Sequence, residues 1–163
     1  MNKIMQLLPK SEQITNILFI AMFITCMLLA FSSNVLAVPE EDLAKMEDRT
    51  FRLINEARAS KGLKPLIKEK AAWSAARDHS ADMADRDFFS HTSPEGKGVL
   101  DRIKVYGFEL VGKSLGENIA MNYNTTDPVE TAVSGWLKSP GHYKNIMDSR
   151  FIYSGIGIVK TPD

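Results

Sequence analysis

An apolar run of 15 residues, Ile17 to Phe31, limits what the rest of the chain can do. As a helix it would be about 22 Å long, short of a hydrocarbon core of roughly 30 Å. Lys3 and Lys10 precede it, Ser32-Ser33-Asn34 break it, and Val35-Leu36-Ala37 bring small residues just before Pro39. This order predicts a secretory signal peptide over residues 1–37, cleaved after Ala37. The competing reading is an uncleaved N-terminal anchor facing outside, which the long leading region with Glu12 favours. Cys26 lies inside the run rather than at its end, which argues against a lipoprotein. Removing residues 1–37 takes away two basic residues, one acidic residue and the only cysteine, leaving 126 residues with 18 basic and 19 acidic. An exported domain without thiols must hold together through a single hydrophobic core.

The whole chain balances 20 basic against 20 acidic side chains and is 44% hydrophobic. That composition fits one globular domain and excludes collagen-like or low-complexity structure. The lack of a basic excess argues against a nucleic-acid partner. His79, His91 and His142 are the only histidines, so any histidine-based metal or acid–base chemistry must draw on them.

Residues 38–42 read as a short acidic linker, and residues 38–50 as linker plus the start of a first helix. Leu43, Met46, Thr50, Leu53, Ile54 and Ala57 recur at three- and four-residue steps, the stripe of an amphipathic helix that Gly62 ends. A second helix is expected over Glu69–Asp85, with Ala72, Trp73, Ala76, Ser80 and Met83 inward and His79 packed or half-exposed. After a loop-rich stretch, Val99, Leu100, Ile103 and Tyr106 mark a short helix stopped by Gly107. Asn118–Met121 is a candidate strand. Asp127-Pro128-Val129-Glu130 is a helix start with Asp at the N-cap and Pro at N1. Ser139 is placed as the N-cap of a further short helix. Ser154–Lys160 reads as a strand whose glycines allow close backbone approach. The pattern predicts an α+β fold with helices on both sides of a small antiparallel sheet.

Three segments carry chemistry-bearing residues beside turns: Phe89–Gly96, Gly116–Ala120 and Trp136–Ile146. His91, Glu117 and His142 could converge as two imidazoles and a carboxylate, a set that suits zinc with water in an open fourth position. Spacing alone does not force that convergence. His91 could instead brace the Thr92–Gly96 turn, Glu117 could tie loop amides together, and His142 could be a helix-start residue bonded to a carbonyl. No G-x-S-x-G elbow surrounds Ser90, Ser93 or Ser139, which argues against a serine nucleophile.

The segments Phe89-Ser90-His91, Gly116-Glu117-Asn118-Ile119-Ala120, Ser139-Pro140-Gly141-His142 with Asn145-Ile146, and Gly155-Ile156-Gly157 resemble, in this order, the CAP superfamily. That superfamily comprises cysteine-rich secretory proteins, antigen 5 and plant pathogenesis-related proteins, and its domain is also called the SCP domain. The resemblance covers roughly Phe51 to Val159, with the domain placed over residues 51–163, and the missing cysteines resemble the bacterial branch. It implies an α-β-α sandwich with a central cleft that in many members holds two histidines and two acids. By motif position His91 matches the first histidine, Glu117 the first acid and His142 the second histidine. Ser139 stands where the second acid lies in relatives that have it. Relatives usually continue past the Gly-Ile-Gly strand into another, pairing strand, so the sheet is expected to lack its last strand.

These residues lead to an exported binding or interaction module, secreted or periplasmic. A His91–Glu117–His142 cleft would take a small molecule, lipid or cell-envelope component, with a divalent metal such as zinc on His91 and His142. The rival is a zinc-dependent hydrolase or protease with Glu117 as the candidate catalytic residue. A third reading is a structural remnant without a ligand.

Overall fold

The computed structural model describes residues 40–109 and 114–161. The expected signal segment lies outside the described residues. Among those described, no helix is long and apolar enough to cross a membrane. The elements run α1 (Glu40–Ala59), β1 (Ile67–Lys68), α2 (Lys70–Asp85), α3 (Val99–Lys104), α4 (Pro128–Lys138), α5 (Pro140–Ile146) and β2 (Tyr153–Ser154).

Helix α1 begins at Glu40, inside the expected linker. Past its end Gly62 adopts φ +70°, a conformation that suits glycine. Asn55 then ties the outgoing chain to the helix: its Nδ2 donates to the Leu66 carbonyl at 3.1 Å and its Oδ1 accepts from the Leu66 amide at 2.7 Å. This delivers Ile67 and Lys68 to the sheet. They pair with Tyr153 and Ser154 in parallel register. The antiparallel sheet expected from sequence is therefore corrected to two parallel strands. The two strands are separated in sequence by four helices, so the chain has length enough to return in the same direction.

Of the expected Ser154–Lys160 strand only Ser154 joins a ladder, together with Tyr153 before it, and Asn118–Met121 forms no strand. The stretch after β2 nevertheless does what its glycines suggest. A Cβ on Gly155 would stand 2.1 Å from the Ala72 backbone, and one on Gly157 2.2 Å from that of Ala76. This segment therefore lies flat against α2, and the Ser80 hydroxyl donates to the Gly157 carbonyl at 2.9 Å. Ile156, on the alternate face, enters a cluster with Ile54 of α1 and Ile146 of α5.

Helix α2 has a second contact face that the stripe reading passed over. Ala71, Ala75 and His79 are its fully buried residues, and the two alanines pack with Ile103 of α3. Helix α4 starts where expected. Asp127 accepts from the Glu130 amide at 3.0 Å and receives Arg49 of α1 at 2.9 and 2.7 Å. The Arg49 guanidinium, then the Glu130 amide, holds the Asp127 carboxyl below its ordinary range. Ser139 precedes α5 at the N-cap position, but its hydroxyl makes no capping bond.

Two charged side chains are buried in the core. Glu47 accepts from Trp73 Nε1 and Arg77 Nε, each at 3.0 Å, and from the Ile158 amide at 3.2 Å. Arg58 donates to the carbonyls of Lys64, Ile146 and Asp148 at 3.0, 2.6 and 3.0 Å. Ile146 is the last residue of α5, where a cation also favours the helix dipole. Burial pulls the Arg58 guanidinium below its ordinary range.

Candidate functional site

The loop after α2 places His91, and four interactions hold it. His79, buried on α2, lies with Nε2 2.9 Å from the Ser90 carbonyl, which can only accept. His79 is therefore the Nε2–H tautomer, and its Nδ1 is buried without a partner. Burial first, then the Arg102 charge, pushes the His79 imidazole down from its ordinary value, so the ring stays neutral. Arg102 of α3 donates through Nη1 to the next carbonyl, that of His91, at 3.1 Å and to Lys97 at 3.2 Å. Its Nη2 reaches Glu117 Oε1. The fourth interaction is on the ring: His91 Nδ1 lies 2.8 Å from Glu117 Oε2.

Among the described residues no hydrogen bond joins the His91 ring to the following turn, where Ser93 and Glu95 make the side-chain bonds. The Ser93 hydroxyl donates to Glu95 at 2.9 Å, and Glu95 pairs with Arg86. Arg86 and the Ser93 hydroxyl pull the Glu95 carboxyl down to about 2.

Glu117 stands after Gly116, where a Cβ would come within 2.8 Å of the Phe151 ring. A side chain at 116 would require the Phe151 ring or this loop to shift. Two asparagines then dock the Glu117 segment onto α5. Asn145 donates to the Glu117 carbonyl at 3.2 Å and to Asn118 Oδ1 at 2.9 Å, and Asn118 donates to the His142 carbonyl at 3.1 Å. Trp136 of α4 adds a bond from Nε1 to the Ile119 carbonyl at 3.1 Å. The Trp136 side chain thus satisfies a backbone carbonyl, that of Ile119, which the expected strand would have paired. Glu117 is both a side-chain partner of His91 and, through its backbone, a tie between loops.

The three motif segments therefore meet, but their side chains divide into two groups. His91 and Glu117 are in direct contact. Among the described residues, no hydrogen bond or ion pair joins His142 to either. His142 instead lines an open groove of about 290 Å³. Phe89, Ile119, Met121 and Trp136 give that groove apolar walls, and Asn122, Thr131 and Ser139 add polar groups. Among the described residues no Asp, Glu, Lys or Arg lines it. Several of the polar groups already have partners: Trp136 bonds Ile119, Asn122 bonds the Pro128 carbonyl at 2.9 Å, and Thr131 bonds the Asp127 carbonyl at 2.7 Å. The Ser139 hydroxyl and the His142 imidazole have none among the described residues. Sequence reading missed Arg102 and placed His79 only as a packing residue. The separation of Arg102 from its partner Glu117 by 15 residues gave no local signal.

Both Glu117 oxygens are engaged, one by Arg102 and one by His91. Among the described residues no three His, Cys, Asp or Glu side chains gather as a metal-holding group. The donor set fits a three-ligand zinc centre poorly, because it leaves two imidazoles and no free carboxylate.

The cysteine-rich secretory protein family, CAP, matches residues 51–163. An uncharacterized Bacillus subtilis protein, YkwD, is 33% identical over 132 residues, which are 81% of this chain and 49% of that protein. The chain thus spans about half the length of that curated relative. An extracellular protein containing a SCP domain from Bacillus anthracis is similar in structure, with TM-score 0.64 and 32% identity over 71% of this chain and 37% of that one. A cysteine-rich secretory protein from Staphylococcus aureus shares the fold, with TM-score 0.54 and 21% identity over 75% of this chain and 38% of that one. With the motif segments joined as described and these matches to bacterial proteins, the chain belongs to the CAP, or cysteine-rich secretory protein, family in its bacterial form.

Proposed function

We propose that this protein is an exported binding module whose groove takes a small, uncharged, partly apolar ligand, such as a lipid or a cell-envelope component. The observation that carries this reading is the groove's lining. Apolar walls from Phe89, Met121 and Trp136 meet two unbonded polar groups, Ser139 and His142. Mostly apolar lining with a few convergent polar groups is the usual make-up of a small-molecule site. The absence of lysine and arginine from the described wall residues disfavours a phosphate or carboxylate head on the ligand. Export is supported by the apolar run at Ile17–Phe31 and by the extracellular description of the Bacillus anthracis protein. The zinc-hydrolase reading is weaker, because both Glu117 oxygens are engaged, one by Arg102 and one by His91.

Equilibrium binding of the full chain to lipids and to cell-wall fragments, followed by tryptophan fluorescence, tests the reading. Saturable binding weakened in Phe89→Ala and His142→Ala is the expected result. No saturable binding to either class would remove its support.

A further inference from the structure

His91 combines two properties that seldom occur together. Its side chain is 56% exposed, yet backbone and ring are both held. His79 grips the carbonyl before it, Arg102 grips its own carbonyl, and Glu117 takes Nδ1. Nε2 has no hydrogen-bond partner among the described residues. Fixing an exposed ring costs conformational freedom, and such ordering is characteristic of groups that meet a ligand.

Arg102 connects these contacts. It is nearly buried, with 11% of its side chain exposed. Its forked guanidinium reaches two carbonyls of the His91 loop and one oxygen of Glu117 at once. A lysine ammonium, a single point charge, cannot reproduce that fork. With Oε1 turned to Arg102, Oε2 is left facing His91 Nδ1. A carboxylate oxygen only accepts, so the neutral ring must carry its proton on Nδ1.

We propose that Arg102 is the positioning residue of this site: by orienting Glu117 it fixes His91 as the Nδ1–H tautomer and leaves Nε2 as a lone-pair acceptor for a ligand donor group. The inference rests on the binding reading for what meets Nε2, but its geometry is independent of that reading.

The test is long-range proton–nitrogen correlation NMR of the histidine rings in the full chain, at a pH where His91 is neutral. Wild type is expected to show Nδ1 protonated and Nε2 unprotonated at His91. In Arg102→Gln the Nδ1–H form should fall from nearly complete to half or less, with cooperative unfolding retained. Arg102→Lys should restore part of it. If Arg102→Gln does not fold, Glu117→Ala is read in the same way. A wild-type His91 protonated on Nε2 would overturn the proposal. So would an unchanged tautomer in a folded Arg102→Gln or Glu117→Ala protein. A protein that keeps the Nδ1–H form but binds no lipid or wall fragment would remove the binding reading and leave this assignment standing.

Discussion

Glu47 and Trp73 are joined by a hydrogen bond of 3.0 Å between a carboxylate that is 2% exposed and an indole Nε1. The same carboxylate accepts from Arg77 and from the Ile158 amide, so α1, α2 and the C-terminal extended segment share one buried acceptor. Glu47→Leu keeps the volume and leaves the indole and amide N–H groups without a partner. The variant should lose about 3 kcal/mol, the order of two stranded buried donors. Urea unfolding of the two proteins measures it, and a loss under about 1 kcal/mol would contradict the account.

Three glycines should respond in opposite directions. Gly155→Ala and Gly157→Ala put a Cβ into the α2 backbone at 2.1 and 2.2 Å, which neither element can yield without separating. Each should destabilise by about 3 kcal/mol or more, at the upper end of overpacking. Gly135→Ala, inside α4 with nothing within 4 Å, should instead stabilise by about 0.5–1 kcal/mol. Thermal unfolding of the three variants is the check, and the contrast in sign matters more than any single value.

The buried His79 makes stability depend on pH. Its folded value is pushed down by burial and by Arg102. As pH falls below the unfolded value of about 6.5, the unfolded chain takes up a proton that the folded ring resists. Stability attributable to His79 is therefore full above that pH and declines below it, until the folded ring also titrates. His79→Gln should be less stable at pH 7 and should show a shallower decline between about pH 6.5 and 5. Parallel slopes for the two proteins would contradict this.

Zinc should bind weakly. A ligand at 100 times its dissociation constant adds about 2.7 kcal/mol to stability. With two imidazoles and no free carboxylate, excess zinc is expected to fall well short of that. A full-sized shift of the unfolding midpoint, abolished in both His91→Ala and His142→Ala, would restore the metal-centre reading.

Much of this arrangement was legible where local chemistry decides. Asp127-Pro128 starts α4, Gly107 at φ +76° follows α3, and the Gly155 and Gly157 contacts follow from their missing side chains. The motif segments around His91, Glu117 and His142 could be singled out before any contact was known. What stayed hidden depends on partners far along the chain. Strands of two residues, Ile67–Lys68 and Tyr153–Ser154, are too short to carry an alternation, so their parallel pairing left no pattern. Glu47, Arg58 and Arg102 carry no local sign of their roles, because only the folded chain supplies the N–H donors that meet Glu47 and the carbonyls and carboxylate that meet the two arginines. The split of His142 from His91 and Glu117 belongs to the same class. Motif order brings the segments together, but side-chain packing decides which groups touch.

The groove lined by His142, with no charged side chain among its described wall residues, is proposed to bind a partly apolar neutral molecule. Octyl glucoside below its micellar concentration, which joins an alkyl chain to an uncharged polar head, is the direct probe. Its titration would be followed by NMR at the Trp136 indole and the His142 ring. The account predicts saturable shifts at both sites, with affinity lowered about tenfold in Phe89→Ala, equivalent to roughly 1.4 kcal/mol. Octanoate should bind more weakly, because no described wall residue matches its charge. Absence of saturable shifts, or shifts unaffected by Phe89→Ala, would contradict it.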